Sequence, residues 1–138
     1  MTSNTTPEGI CSASSYISGY DPWRAFTPNI MDSWQETHNQ TASNIWVQYS
    51  FTRAVKIYKA QFSTYNNSSI SYKFRASNDG NNWTDISPVY NNVSGGTYNL
   101  NTSDKYITYR LLIISQTLTG GWQCGRVNKF QLYGREDI

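Results

Sequence analysis

Ser71-Tyr72-Lys73-Phe74-Arg75-Ala76-Ser77-Asn78-Asp79-Gly80-Asn81-Asn82-Trp83 decides how this chain is read. With Ile70 in front, the stretch alternates. Ile70, Tyr72, Phe74 and Ala76 fall on one face, and Ser71, Lys73 and Arg75 on the other. A period of two predicts a half-buried strand, because successive side chains of an extended chain point to opposite sides. Asp79-Gly80 predicts a tight turn: glycine tolerates positive φ, and an aspartate can hydrogen-bond its own backbone. Trp83 then opens the next strand, placed to fold back over the turn.

The composition supports β structure around this hairpin. Only 14 % of the 138 residues are charged, 15 % are aromatic, and Ser, Thr and Asn make up roughly a third. That mixture predicts short strands joined by long polar loops, and the length suits one domain with a full core. Five Trp and eleven Tyr supply enough apolar surface to exclude disorder. Net charge is +2, and the cations form no run, so no nucleic-acid footprint is expected. No apolar stretch is long enough to span a membrane. Cys11 and Cys124 fit no zinc spacing. They are either two buried thiols or, if the domain ends lie side by side, a disulfide worth about 3–5 kcal/mol.

Outward from the hairpin, the strands are expected at 9–15, Ile45–Phe51, Ala54–Phe62, Thr84–Tyr90 (broken by Pro88), Thr97–Leu100, Lys105–Ile114 and Val127–Gly134. Their regular spacing, with no helical window, predicts a β-sandwich or barrel. Residues 1–8 read as a linker or vector-derived start, 9–134 as the domain and 135–138 as a tail.

The segments match, in order, those of one family. Ser12-Ala13-Ser14-Ser15 precedes an aromatic loop and Pro22-Trp23-Arg24-Ala25-Phe26. Ile45-Trp46-Val47-Gln48-Tyr49 follows, then the Ser-Asn-Asp-Gly-Asn-Asn-Trp hairpin, Lys105-Tyr106-Ile107-Thr108-Tyr109-Arg110-Leu111 and Val127-Asn128-Lys129-Phe130-Gln131-Leu132-Tyr133-Gly134. The chain resembles discoidin domains (the coagulation-factor C-type domain) and the related galactose-binding-like carbohydrate-binding modules, with similarity to bacterial and phage members. The resemblance implies an all-β fold, an eight-stranded antiparallel β-sandwich of the jelly-roll type. Trp34, Trp46 and Trp83 are expected in its core, and Trp23 in the core or as a loop anchor.

Chemistry is sparse. His38 is the lone histidine, there is no nucleophile elbow, and the carboxylates are scattered, with only Asp32 and Glu36 close enough to be weighed as an acid pair. Loop carboxylates are commonly solvated, and no catalysis is expected. Many glycan-binding members of the family hold a calcium ion through an Asp near the start of the domain and a Glu of the last strand. Thr27 and Lys129 occupy those positions here. A hard cation needs several oxygen ligands, so the exchange predicts no metal and no cofactor. Lys129 is expected either to place its ammonium where the ion would sit or to point to solvent.

By the same resemblance, the ligand loops are 16–23, 35–44, 62–69 and 116–125. A sugar needs an aromatic platform for its C–H faces and polar groups for its hydroxyls. Tyr20, Tyr65 and Trp122 are the expected platforms, with Gln35, His38, Asn66 and Gln123 as polar partners. Gln35 follows Trp34 where galactose-type members often carry His, and the third loop lacks their Arg. With only Ile17 and Leu118 as aliphatic tips, membrane insertion is not expected. The resemblance implies a non-catalytic, lectin-like module that binds a cell-surface or extracellular glycan. It would belong to a larger adhesin, glycan-active enzyme or phage tail protein, in an extracellular, cell-surface or virion setting, and multivalency would raise a weak affinity. The alternative is a protein-interaction or assembly domain without a sugar site.

Overall fold

The alternation at 70–76 is realised as one-sided burial. Ile70, Tyr72, Phe74 and Ala76 are at most 1 % exposed, while Ser71, Lys73 and Arg75 remain partly open. The computed structural model describes residue 3 and residues 9–27, 33–37, 41–64, 68–91, 95–100, 104–118 and 126–135. Among these, eight strands follow in the chain: β1 (Ile10–Ala13), β2 (Thr41–Thr64), β3 (Ser68–Ser77), β4 (Thr84–Asp85), β5 (Tyr90–Asn91), β6 (Gly95–Asn99), β7 (Tyr106–Leu118) and β8 (Val127–Arg135). A 3-10 helix, Pro22–Phe26, lies between β1 and β2.

All pairings are antiparallel. One sheet runs β1-β2-β7-β3, with β4 and β5 both on the far edge of β3. The other runs β8-β2-β6. The sequence predicts two strands, 45–51 and 54–62, where a single strand, β2, serves both sheets. Its first half pairs with β1 and β7 and its second half with β6 and β8, and the register with β7 slips between Ser50 and Val55. No Gly or Pro interrupts Phe51-Thr52-Arg53-Ala54, so the backbone stays extended while it turns the corner between sheets. Elsewhere β7 runs past the expected Ile114 to Leu118, and Pro88 separates β4 from β5 as expected.

The two inner faces meet through rings. Phe62 of β2 packs edge-on against Tyr72 of β3 at 4.9 Å, and Phe74 meets Phe130 of β8 at 5.9 Å. Tyr90 and Tyr98 stack at 4.1 Å and close the far edge. The Tyr72 hydroxyl is hydrogen-bonded to that of Tyr98, and burial pushes the Tyr72 phenol well above its ordinary range. The 3-10 helix seals the side beside β8: Ala25 is fully buried, and Phe26 packs on Tyr49 and Phe130. Each ring of this kind contributes roughly 1.5–3 kcal/mol through removal from water.

The turn at the end of β3 forms as the sequence predicts. Gly80 sits at φ +76°, where a side chain would be strained. Asp79 Oδ1 accepts from the backbone N–H of Asn81 at 2.8 Å and of Asn82 at 2.7 Å, and Oδ2 accepts from Asn82 Nδ2 at 2.6 Å. These bonds to Asn82 and Asn81 favour the ionised form and hold the carboxyl well below the usual carboxylate range. Among the described residues no helix is long and apolar enough to cross a membrane.

Candidate functional site

The register gathers the loop-bearing ends of the strands at one end of the sandwich. Thr41 faces Thr117, Ser68 faces Leu118, and Thr64 faces Val127. Every expected ligand loop leaves or enters here. The floor beneath them is tied by hydrogen bonds. Trp34 and Val127 exchange backbone bonds of 3.0 and 2.9 Å, and Thr64 Oγ1 donates to the Arg126 carbonyl at 2.6 Å. Ile17 N–H donates to the Gln35 carbonyl, and Gln35 N–H donates back to that of Tyr20. Ser15 is the hub. Its carbonyl accepts from Trp34 Nε1 at 2.9 Å, its hydroxyl donates to the Glu36 carboxylate, and it also bonds the Thr37 hydroxyl.

Two rings stand up from this floor, Tyr16 at 46 % exposure and Tyr20 at 40 %. Tyr20 was expected in the site; Tyr16 was not, although it shares the same aromatic loop. Gln35 requires correction. It was expected at the rim, but it is 6 % exposed, and its side-chain amide donates to Ser33 Oγ at 3.4 Å. The backbone bonds to residues 17 and 20 draw it under the loop. Glu36, a loop carboxylate expected to be solvated, is 1 % exposed. No local signal marks it, because its Ser15 partner is distant in sequence. Trp34 is fully buried as expected, and Trp23 is half-buried with the Arg24 guanidinium 4.5 Å from its ring centre. His38, Tyr65, Asn66, Trp122, Gln123 and Cys124 lie outside the described residues, as does Asp32. Among the described residues Cys11 is a buried free thiol. Burial pushes it up to about 12, which leaves it protonated and unreactive at neutral pH.

Thr27 and Lys129, the positions where the family resemblance places calcium ligands, line one cavity of about 220 Å³ with Ala25, Phe26, Phe130 and Gln131. Its described lining offers a threonine and an amide oxygen, no carboxylate, and an ammonium. That donor set does not suit calcium, which takes about six to eight oxygens with carboxylates supplying charge. Among the described residues no three His, Cys, Asp or Glu side chains cluster to hold a metal.

A second grouping lies on the outer face of the larger sheet, and it corrects the placement of Trp46 and Trp83. Both were expected in the core, yet both are half-buried outside it. Trp46 alternates against the buried Ile45 and Val47, so it must face outward. The two rings clamp Arg110 of β7, whose guanidinium carbon lies 3.9 Å from the centre of Trp46 and 3.8 Å from that of Trp83. Arg110 Nε donates to Gln48 Oε1 at 2.8 Å. Gln48, Arg110, Arg75 and Asp85 form one row across β2, β7, β3 and β4. Asp85 pairs with Lys73 at 3.0 Å and Arg75 at 2.8 Å. The Arg75 Nε–H is not directed at its carboxylate, so that contact is an ion pair without an aligned hydrogen bond. Burial, then the neighbouring Arg75, lowers Arg110 to about 10, which leaves it charged at neutral pH.

Residues 10–136 match the model of the F5/8 type C domain, and the chain belongs to that family. No curated protein sequence matches it. Its fold is that of several carbohydrate-binding modules. It is similar to a pectin-binding module (20 % identity, TM-score 0.69, covering 89 % of this chain and 88 % of that one). It is also similar to CBM32-3 from a family 31 glycoside hydrolase of Clostridium perfringens (16 %, TM-score 0.71, 90 % and 88 %). A third similar structure is the CBM32 of AlyQ in complex with 4,5-unsaturated mannuronic acid (12 %, TM-score 0.67, 96 % and 98 %).

Proposed function

We propose that this domain is a non-catalytic carbohydrate-binding module that takes a glycan at the loop end of the sandwich. The observation that carries the reading is the pair of exposed rings, Tyr16 and Tyr20, on a loop floor cross-tied through Ser15, Gln35 and Val127. Rigid aromatic platforms beside polar loops suit sugars, whose C–H faces stack while their hydroxyls hydrogen-bond. Tyr65 and Trp122 are further platforms in this reading, and His38, Asn66 and Gln123 supply polar contacts. Lys129 lines the cavity beside Thr27 and brings a cation where a calcium site would need oxygen ligands, so in this reading binding needs no calcium. The similar structures support the ligand class: one binds pectin, one holds a mannuronic acid, and one belongs to a glycoside hydrolase. The parent is then a glycan-degrading enzyme, an adhesin or a phage tail protein working outside the cell, and tethering raises a weak single-site affinity.

A glycan array with the isolated domain, run with and without chelator, tests this. Selective binding that survives chelation and falls at least about tenfold in Tyr20→Ala and Trp122→Ala is the expected result; tenfold corresponds to about 1.4 kcal/mol. A blank array at a density that detects millimolar sites would overturn it in favour of a protein-interaction or assembly domain, whose paratope-like Tyr, Ser and Asn content these loops share.

A further inference from the structure

The outer face of the larger sheet holds more positive charge than it neutralises. Lys73, Arg75 and Arg110 project there, and among the described residues of that face Asp85 is their one carboxylate. Asp85 is taken by Lys73 and Arg75. Arg110 directs its Nε to a neutral amide, is half-buried, and has no ion pair and no acceptor on either Nη among the described residues. Arg75 and Arg110 stand directly opposite each other in the β3–β7 register, and like charges so placed destabilise a sheet unless an anion bridges them. Trp46 and Trp83 hold the Arg110 guanidinium rigidly between their faces. That removes the side-chain entropy a free arginine would lose on meeting a ligand.

We propose that this Trp46–Arg110–Trp83 face, with Lys73 and Arg75, is a second binding surface that takes an acidic polysaccharide by its uronate carboxylates. The guanidiniums supply paired donors for a carboxylate, and the half-buried indole edges supply apolar surface for the adjoining C–H groups. An acidic peptide fits less well. Sheets capture peptides along a free strand edge, whereas β7 and β3 are both paired on each side here. The face lies across the sheet from the inner core and shares no residue with the loop floor. Only the ligand class, a glycan, is common to this surface and the loop-end reading.

The test is affinity electrophoresis of the intact domain in gels containing polygalacturonate, neutral galactan or polyglutamate, at low and high salt. Polygalacturonate is expected to retard the domain at least about tenfold more strongly than galactan. The double variant Lys73→Gln/Arg75→Gln should lose that difference, high salt should weaken it, and Tyr20→Ala should leave it in place. Nuclear magnetic resonance of the unmodified domain gives a second measurement independent of the variant's folding: the indole N–H signals of Trp46 and Trp83 should shift on adding galacturonate oligomers. Unmoved indole signals, or polygalacturonate binding untouched by the double variant, would overturn the proposal. Binding abolished by Tyr20→Ala alone would place the uronate at the loop end and leave that reading standing. Loss in the double variant with a blank glycan array for loop-dependent ligands would remove the loop reading and keep this one. Equal retardation by polyglutamate would overturn the assignment to a sugar.

Discussion

The two faces of the larger sheet accommodate aromatic rings in different ways. On the inner face, Tyr72 and Phe74 lie among Phe62, Tyr90, Tyr98 and Phe130, with ring-to-ring contacts and almost no exposure. On the outer face, Trp46 and Trp83 have no sheet above them and pack against a guanidinium instead. A ring inside is stabilised by leaving water. A ring outside gains attraction between its π-face and a cation that water still partly reaches. Aromatic content is therefore no guide to the core by itself; the side of the strand decides.

This contrast implies an order of sensitivity. Phe74→Ala should be the costliest change, about 3–5 kcal/mol by chemical denaturation, because the ring touches both sheets and its removal leaves a cavity that rigid neighbours fill poorly. A loss under about 1 kcal/mol would mean that the two sheets do not share one tight core. Arg110→Ala should cost less, roughly 1–3 kcal/mol, from two half-exposed cation–π contacts and the bond to Gln48. It should also shift tryptophan emission to the red as Trp46 and Trp83 lose their cover. No change in emission would break the comparison at its outer side.

The smallest effect is expected at the turn ending β3, where neither face is involved. The Asp79 carboxyl is depressed in the fold, so its contribution is present above the unfolded carboxylate range of about pH 4 and is lost as pH falls toward the folded value. Asp79→Asn should lower the melting midpoint slightly at pH 7, where the ionised carboxylate contributes, and flatten the acid limb below about pH 4. Melting curves from pH 2 to 7 read this directly, and an unaltered acid limb would assign the acid sensitivity to other carboxylates.

Residues 70–83 made much of this legible in advance. The period of two in Ile70, Tyr72, Phe74 and Ala76 is a local property, and each of these side chains is buried where the pattern places it. The Asp79-Gly80 turn is local too, since its hydrogen bonds span at most three residues. Trp46 sits on a strand motif that suggests core burial, yet its alternation with the buried Ile45 and Val47 puts it on the outer face. The loop end was half legible. Tyr20 could be picked out from its polar, glycine-containing loop, whereas Gln35 and Glu36 look like ordinary loop residues until the first loop folds over them.

The sequence by itself determined what depends on neighbours along the chain: the strands, the turn and the composition of the loops. Pairing partners, the passage of β2 from one sheet to the other, the burial of Glu36 beneath Ser15 and the clamping of Arg110 between Trp46 and Trp83 were decided only by tertiary structure. The last three each join residues 21 or more positions apart. The reason is that extended backbone conformation follows from local sterics and side-chain period. Which strand lies alongside which depends on burying the whole set of apolar faces at once, and that sum is not written in any one segment.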